Sequence, residues 1–166
     1  IKFTRPYTMG THDGETNAIT GTTKLSTGEF RVPVASIKSG SDSRDCHMQE
    51  ALTLDYSKSD YPDDHVCDDD KLPSNGKNAV VYQDIALKVT STKSTGDSLE
   101  VEGSWTLHGV TRPAKFLLKK TTEGKNLRLQ GEIPFLLKDY DVKVKSANIL
   151  FIKISVDDQA KVALDL

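Results

Sequence analysis

LEVEGSWTL, residues 99–107, alternates with a period of two. Its odd positions carry Leu99, Val101, Gly103, Trp105 and Leu107, and its even positions carry Glu100, Glu102, Ser104 and Thr106. That spacing puts successive side chains on opposite faces of a strand, one packed inward and one in water. The same pattern extends in both directions along the chain. Upstream lie Phe30 to Val34 and Ile85 to Val89, and downstream lies Leu127 to Ile133. Ile149 to Val156 places Leu150, Ile152, Ile154 and Val156 on one face, and Val162, Leu164 and Leu166 predict a last short strand. Turn residues separate these runs, at Ser26-Thr27-Gly28, Ser94 to Asp97, His108-Gly109, Glu123 to Asn126 and Asp157-Asp158. Short strands at such spacing predict an all-β sandwich or barrel. Gly103 and Gly131 fall on the inward parity, where a missing side chain marks a sharp bend or a close approach.

Helix signals are scarce. Ser43 to Leu52 predicts one or two turns, with Ser43 as N-cap and an incomplete capping box, because Cys46 stands at the third following position. Ser57 to Asn78, rich in Asp, Pro, Gly and Asn, reads as one long surface loop. The 166 residues suit one domain, 1–166, with no repeat or linker. Lys and Arg number 22 against 24 Asp and Glu, a net charge of −2, which argues against nucleic acid as partner. Apolar runs fall short of the ~20 residues of a spanning helix, so no integral membrane segment is expected. The chain opens on IKFTRPY without Met or a basic-then-apolar leader, and these residues look like the beginning of a strand, which reads as a mature or trimmed product. Two cysteines, Cys46 and Cys67, are compatible with one disulfide and an oxidising compartment.

Several fragments, in order, carry a family resemblance. They are Ser36-Ile37-Lys38-Ser39-Gly40, Arg44-Asp45-Cys46-His47-Met48, Tyr61-Pro62, Trp105 to Pro113 (WTLHGVTRP) and Phe135 to Tyr140 (FLLKDY). Together they resemble the YceI-like family over Gly21 to Leu166. The resemblance implies a lipocalin-like antiparallel β-barrel of about eight strands with one short helical segment. It also implies a long apolar cavity holding a polyisoprenoid or fatty-acid-like amphiphile, and a periplasmic or secreted location. The chain departs from the family at Asp63 to Asn78, an acidic insertion where relatives run from Tyr-Pro directly into the next strand.

The expected cavity lining is Phe30, Val32, Ile37, Met48, Leu52, Ile85, Leu87, Val101, Trp105, Leu107, Phe116, Phe135, Leu150 and Ile152, interrupted by small residues at Ala79, Gly103 and Gly131. The opening of the cluster at Arg44 to Met48 invites a nucleophile–base reading, but adjacent residues on a helix point apart. The alternative is a helical corner over one barrel end, fixed by Arg44 and Asp45, with Met48 and Leu52 facing the cavity. In an exported protein a Cys46–Cys67 disulfide is the simpler outcome, with two free thiols as an alternative, while Cys46, His47, His65 and Cys67 also offer a zinc-type or redox-linked set. Asp60, Asp63, Asp64, Asp68, Asp69 and Asp70 read as a solvated acidic loop, with calcium or a partner protein as the other readings. His108 reads as a turn histidine bonded to backbone, and His12 as part of another turn without a role.

Motifs for phosphate-binding loops, α/β-hydrolase nucleophiles and zinc peptidases are absent. The expectation is therefore a non-enzymatic binding protein without cofactor, catalytic residues or resident metal. It would carry or sequester an elongated hydrophobic small molecule, and homodimerisation stays open.

Overall fold

The computed structural model describes residues 1–7, 10–24, 26–55, 67, 72, 80–143, 147–149, 152–154 and 158–166. The chain order is β1 (Lys2–Tyr7), β2 (Gly10–Glu15), β3 (Thr20–Lys24), β4 (Thr27–Pro33), a 3₁₀ turn (Val34–Ser36), α1 (Asp42–Thr53), β5 (Asp84–Thr95), β6 (Ser98–Leu107), β7 (Val110–Glu123), β8 (Asn126–Leu136), a second 3₁₀ turn (Leu137–Tyr140), β9 (Ala147–Ile149), β10 (Ile152–Ile154) and β11 (Gln159–Asp165).

Nine strands form one antiparallel sheet in the order β2-β1-β11-β8-β7-β6-β5-β4-β3. The sheet curls into a half-barrel because its longest strands bend where side chains are missing. Gly103 pairs with Val89, next to a bulge between Val89 and Ser91. A Cβ at Gly103 would collide with the Lys88 carbonyl oxygen, and one at Gly131 would press on the Leu117 carbonyl oxygen. Bulges and inward glycines sharpen the local twist. The two sheet edges, β2 and β3, are joined by no ladder among the described residues. Glu15 and Lys38 instead exchange two backbone hydrogen bonds of 2.9 Å, tying the β2 edge to the chain after β4. The opposite edge, β3, is exposed along its whole length and built of Thr, Gly and Lys, a composition that suits a solvated edge.

The inward rows meet in one core that includes Val32, Ile85, Val101, Trp105, Leu107, Phe116, Ile133 and Val162. A small satellite cluster joins Leu54 to Leu72 and Val80 beyond the helix. The β6–β7 turn positions that satellite. His108 and Gly109 both have positive φ, 50° and 75°, as a two-residue hairpin of the favoured twist requires. His108 Nε2 donates to the Leu54 carbonyl at 2.6 Å, and its ring meets Tyr82 edge-on at 4.7 Å. The turn histidine therefore anchors the C-terminal end of α1 to the barrel.

Three local expectations are corrected. The helix spans 12 residues rather than one or two turns, and its N-cap is Ser41, not Ser43. Asp42 and Asp45 occupy its first turn, where carboxylates complement the helix dipole. The run Ile149 to Val156 is not one strand. β9 and β10 pair with each other, Ile149 opposite Ile152, because a one-faced apolar pattern does not distinguish a strand from a hairpin of equal parity. His12 lies in β2, opposite Arg5, rather than in a turn.

Candidate ligand-binding cavity

The half-barrel holds two adjoining chambers, and Phe3, Ile85 and Trp105 stand at the waist between them, in the walls of both. The first has a volume of about 390 Å³ and lies under β3, β4 and the C-terminal strand. Its wall is aliphatic and aromatic, with hydroxyls from Thr23, Ser26, Thr27 and Thr92 and no charged side chain among the described residues. The second, about 380 Å³, lies beneath α1 and combines an apolar floor with a charged rim.

Most of the expected lining is found in these walls. Phe30, Val32, Leu87, Val101 and Phe116 line the first chamber. Met48, Leu52, Leu107 and Phe135 line the second. Ile85 and Trp105 belong to both. Ile37 is fully buried against Gly14 and lines neither. Leu150 and Ala79 lie outside the described residues, as does the Ile152 side chain, although its backbone belongs to β10. Trp105 sits 6.4 Å from Phe135, which in turn meets Tyr140 edge-on at 5.9 Å. The buried indole Nε1 of Trp105 has no hydrogen-bond partner among the described residues.

The opening residues read as the beginning of a strand, and β1 lies there, but none of them was expected in the cavity wall. Ile1 and Phe3 line the first chamber, and Arg5 and His12 line the second. Alternation at Ile1, Phe3 and Arg5 was the available signal, and an arginine on the inner parity obscured it. Arg44, Lys143 and Lys161 also line it, together with the carboxylates of Asp13 and Glu50. Burial, then the neighbouring Arg44 and Arg5 guanidinium groups, lower the His12 pKa, with Asp13 opposing them.

The helix is held over the second chamber through Asp45 and through Cys46. Asp45 is 5 % exposed and accepts hydrogen bonds from the Ser39 amide at 2.8 Å and the Ser39 hydroxyl at 2.6 Å. Lys38 Nζ lies 3.5 Å from the same carboxylate. Burial would raise the Asp45 pKa, but these Ser39 hydrogen bonds and the Lys38 charge outweigh it and lower it. Cys46 and Cys67 form a disulfide with a Cα separation of 6.0 Å. The buried Glu50 carboxylate lies 2.9 Å from His47 Nδ1 and 3.6 Å from the Cys67 sulfur. His47, Glu50 and Cys67 thus offer three donor atoms within 4.8 Å of one another. A disulfide sulfur is not a thiolate, so the sulfur ligands of the zinc-type reading are committed to each other. His65, Tyr61-Pro62 and the acidic residues Asp60, Asp63, Asp64 and Asp68 to Asp70 lie outside the described residues.

A family model described as the YceI-like domain matches residues 1–166. Comparison with curated proteins gives no match. Among solved structures the chain is similar to BcnA from Burkholderia cenocepacia, with a TM-score of 0.69 at 12 % identity, covering 99 % of this chain and 93 % of that one. It is also similar to a polyisoprenoid binding domain from Saccharophagus degradans, with a TM-score of 0.61 at 12 % identity over 99 % and 89 % of the two chains. A YCEI protein from Campylobacter jejuni gives 0.60 at 12 % identity over 92 % and 81 %. At these identities the structural likenesses establish the fold.

Proposed function

The chain belongs to the YceI-like family, and from that premise we propose that it binds an elongated hydrophobic or amphiphilic small molecule, polyisoprenoid or fatty-acid-like, and carries or sequesters it. The observation that carries this reading is the pair of adjoining chambers with apolar walls, which share Phe3, Ile85 and Trp105 at the waist between them. A chain threaded through both leaves water along its length, at about 0.8 kcal/mol per buried CH₂. Ten carbons therefore supply ~8 kcal/mol before the costs of ordering the ligand. No polar anchor is needed for useful affinity, which favours binding over catalysis. The likeness to a polyisoprenoid binding domain supports the same ligand class. No described helix is long and apolar enough to cross a membrane. The Cys46–Cys67 disulfide supports a periplasmic or secreted setting, where such bonds persist.

Native mass spectrometry of the purified protein, followed by organic extraction, tests the reading. The expected result is a co-purifying long-chain compound, or stoichiometric uptake of one added to stripped protein. Trp105, the single tryptophan, gives a parallel optical signal at the waist. Absence of uptake across alkyl and prenyl chains of several lengths would overturn the proposal.

A further inference from the structure

We propose that the end of the half-barrel opposite α1 docks on an anionic phospholipid bilayer, and that the first chamber loads and unloads its ligand there. This inference rests on the carrier reading and adds the partner surface to it.

The alternation of hairpins decides which residues gather at that end. Successive turns of an antiparallel sheet fall on opposite sides, and the β6–β7 turn is fixed to α1 through His108 and Leu54. The β3–β4, β5–β6 and β7–β8 turns and the last residues of β11 therefore lie at the far end. The first chamber reaches the surface here. Leu127 and Leu166 line its wall, yet they are 57 % and 43 % exposed. Leu127 is the outermost inward residue of β8, on one face with Leu129, Gly131 and the buried Ile133. Leu166 is set beside it by two backbone hydrogen bonds to Leu129, of 2.8 and 3.0 Å. Leucines that face an apolar chamber and water at once form a rim, and an exposed apolar rim marks a contact with another surface.

Cations surround this rim. Residues 24–27, 93–98, 119–128 and 165–166 hold six Lys and Arg against three acidic residues, Asp97, Glu123 and Asp165, in a chain whose net charge is −2. Arg128 is committed to Asp165 at 2.6 Å. Lys24, Lys93, Lys119 and Lys125 are exposed and make no ion pair among the described residues. The chamber wall itself carries no charged side chain among the described residues, so the charge stands outside the opening and the apolar surface within it. A bilayer with anionic heads meets both features at one face. Its surface potential attracts the lysines, and its hydrocarbon accepts the leucines and a chain leaving the chamber. An acidic protein surface would match the lysines but would offer a departing ligand no hydrocarbon.

The test is flotation of the full chain with vesicles of phosphatidylcholine alone, or of phosphatidylcholine and phosphatidylglycerol in equal parts. The expected result is about tenfold or more tighter binding to the mixed vesicles at low salt, with the difference shrinking as salt is added. K24Q/K119Q/K125Q is expected to lose about tenfold of that binding. The same variant is expected to take up dansylaminoundecanoate in solution as the parent does, since none of the three lysines lines a chamber. L127Q is expected to weaken vesicle binding at every salt concentration, with circular dichroism checking that both variants keep the fold. Release of the dansyl probe, followed as loss of energy transfer from Trp105, is expected to quicken with the concentration of mixed vesicles and to slow in the lysine variant. Equal binding to both kinds of vesicle, binding to neither, or parent-like binding by the lysine variant overturns the docking inference, and probe uptake in solution then keeps the carrier reading standing. Weaker vesicle binding with an unchanged release rate overturns this end as the ligand's portal. Failure of the chain to take up the probe or any other alkyl or prenyl chain in solution defeats the carrier reading itself, and the inference with it.

Discussion

Asp45 shows how one side chain holds the roof of the cavity. Its carboxylate is buried yet satisfied by the Ser39 amide and hydroxyl, with Lys38 nearby. D45A is expected to cost about 2 kcal/mol in urea unfolding, because it removes charge-assisted bonds and leaves the half-buried Ser39 amide without its acceptor. The sign of the pH effect follows from the lowered folded-state pKa. The unfolded chain binds the proton more readily, so the contribution is fully present above the ordinary value of 3.8 and is lost as pH falls through the folded-state value. Denaturant midpoints followed from pH 6 down to the acid limit are expected to fall more steeply for the parent than for D45A. The role of Asp45 as a corner residue was legible in the short polar run before it. The reversal at His12 was not, because a Gly-Thr-His-Asp-Gly string reads as a turn until its pairing with β1 is known.

At the scale of the element, α1 is a short helix whose burial comes from attachments rather than from a broad apolar face. Its buried positions include Asp45, Cys46, Glu50 and Thr53, a largely polar set. The disulfide closes a separation of 21 residues, for which chain entropy predicts about 3 kcal/mol. C46S/C67S is therefore expected to unfold at lower urea with that difference in stability, and dithiothreitol is expected to reproduce it in the parent alone. The strands are held differently. Gly103 lets β5 and β6 approach at the bulge, and G103V is expected to destabilise by several kcal/mol, because the collision is with a carbonyl that has little room to move. Circular dichroism melts would register it. The two cysteines alone left bridge, thiol and metal ligand open, since nothing local in the sequence brings Cys67 to the helix.

For the whole molecule, the consequence of a curled but edge-open sheet is a pair of adjoining chambers with Phe3, Ile85 and Trp105 in the walls of both. Filling the first should separate long ligands from short ones. L87W places an indole in its wall, with an overpacking cost of about 1–3 kcal/mol. Affinity for chains of sixteen or more carbons is expected to fall at least tenfold, while six-carbon chains that fit beneath α1 bind as before. Isothermal titration with a chain-length series checks this, and equal losses at every length would show that the chambers act as one. The alternating runs, the turns and the inward glycines were readable in advance because they depend on residues two apart and on backbone sterics. So was most of the apolar lining, since parity within a strand is local. The meeting of Arg5, His12 and Arg44, the place of Phe3 at the waist and the hairpin of β9 with β10 depend on register between distant segments. Only the folded chain sets that register, because a shift of one residue in any strand turns its whole inner row to water.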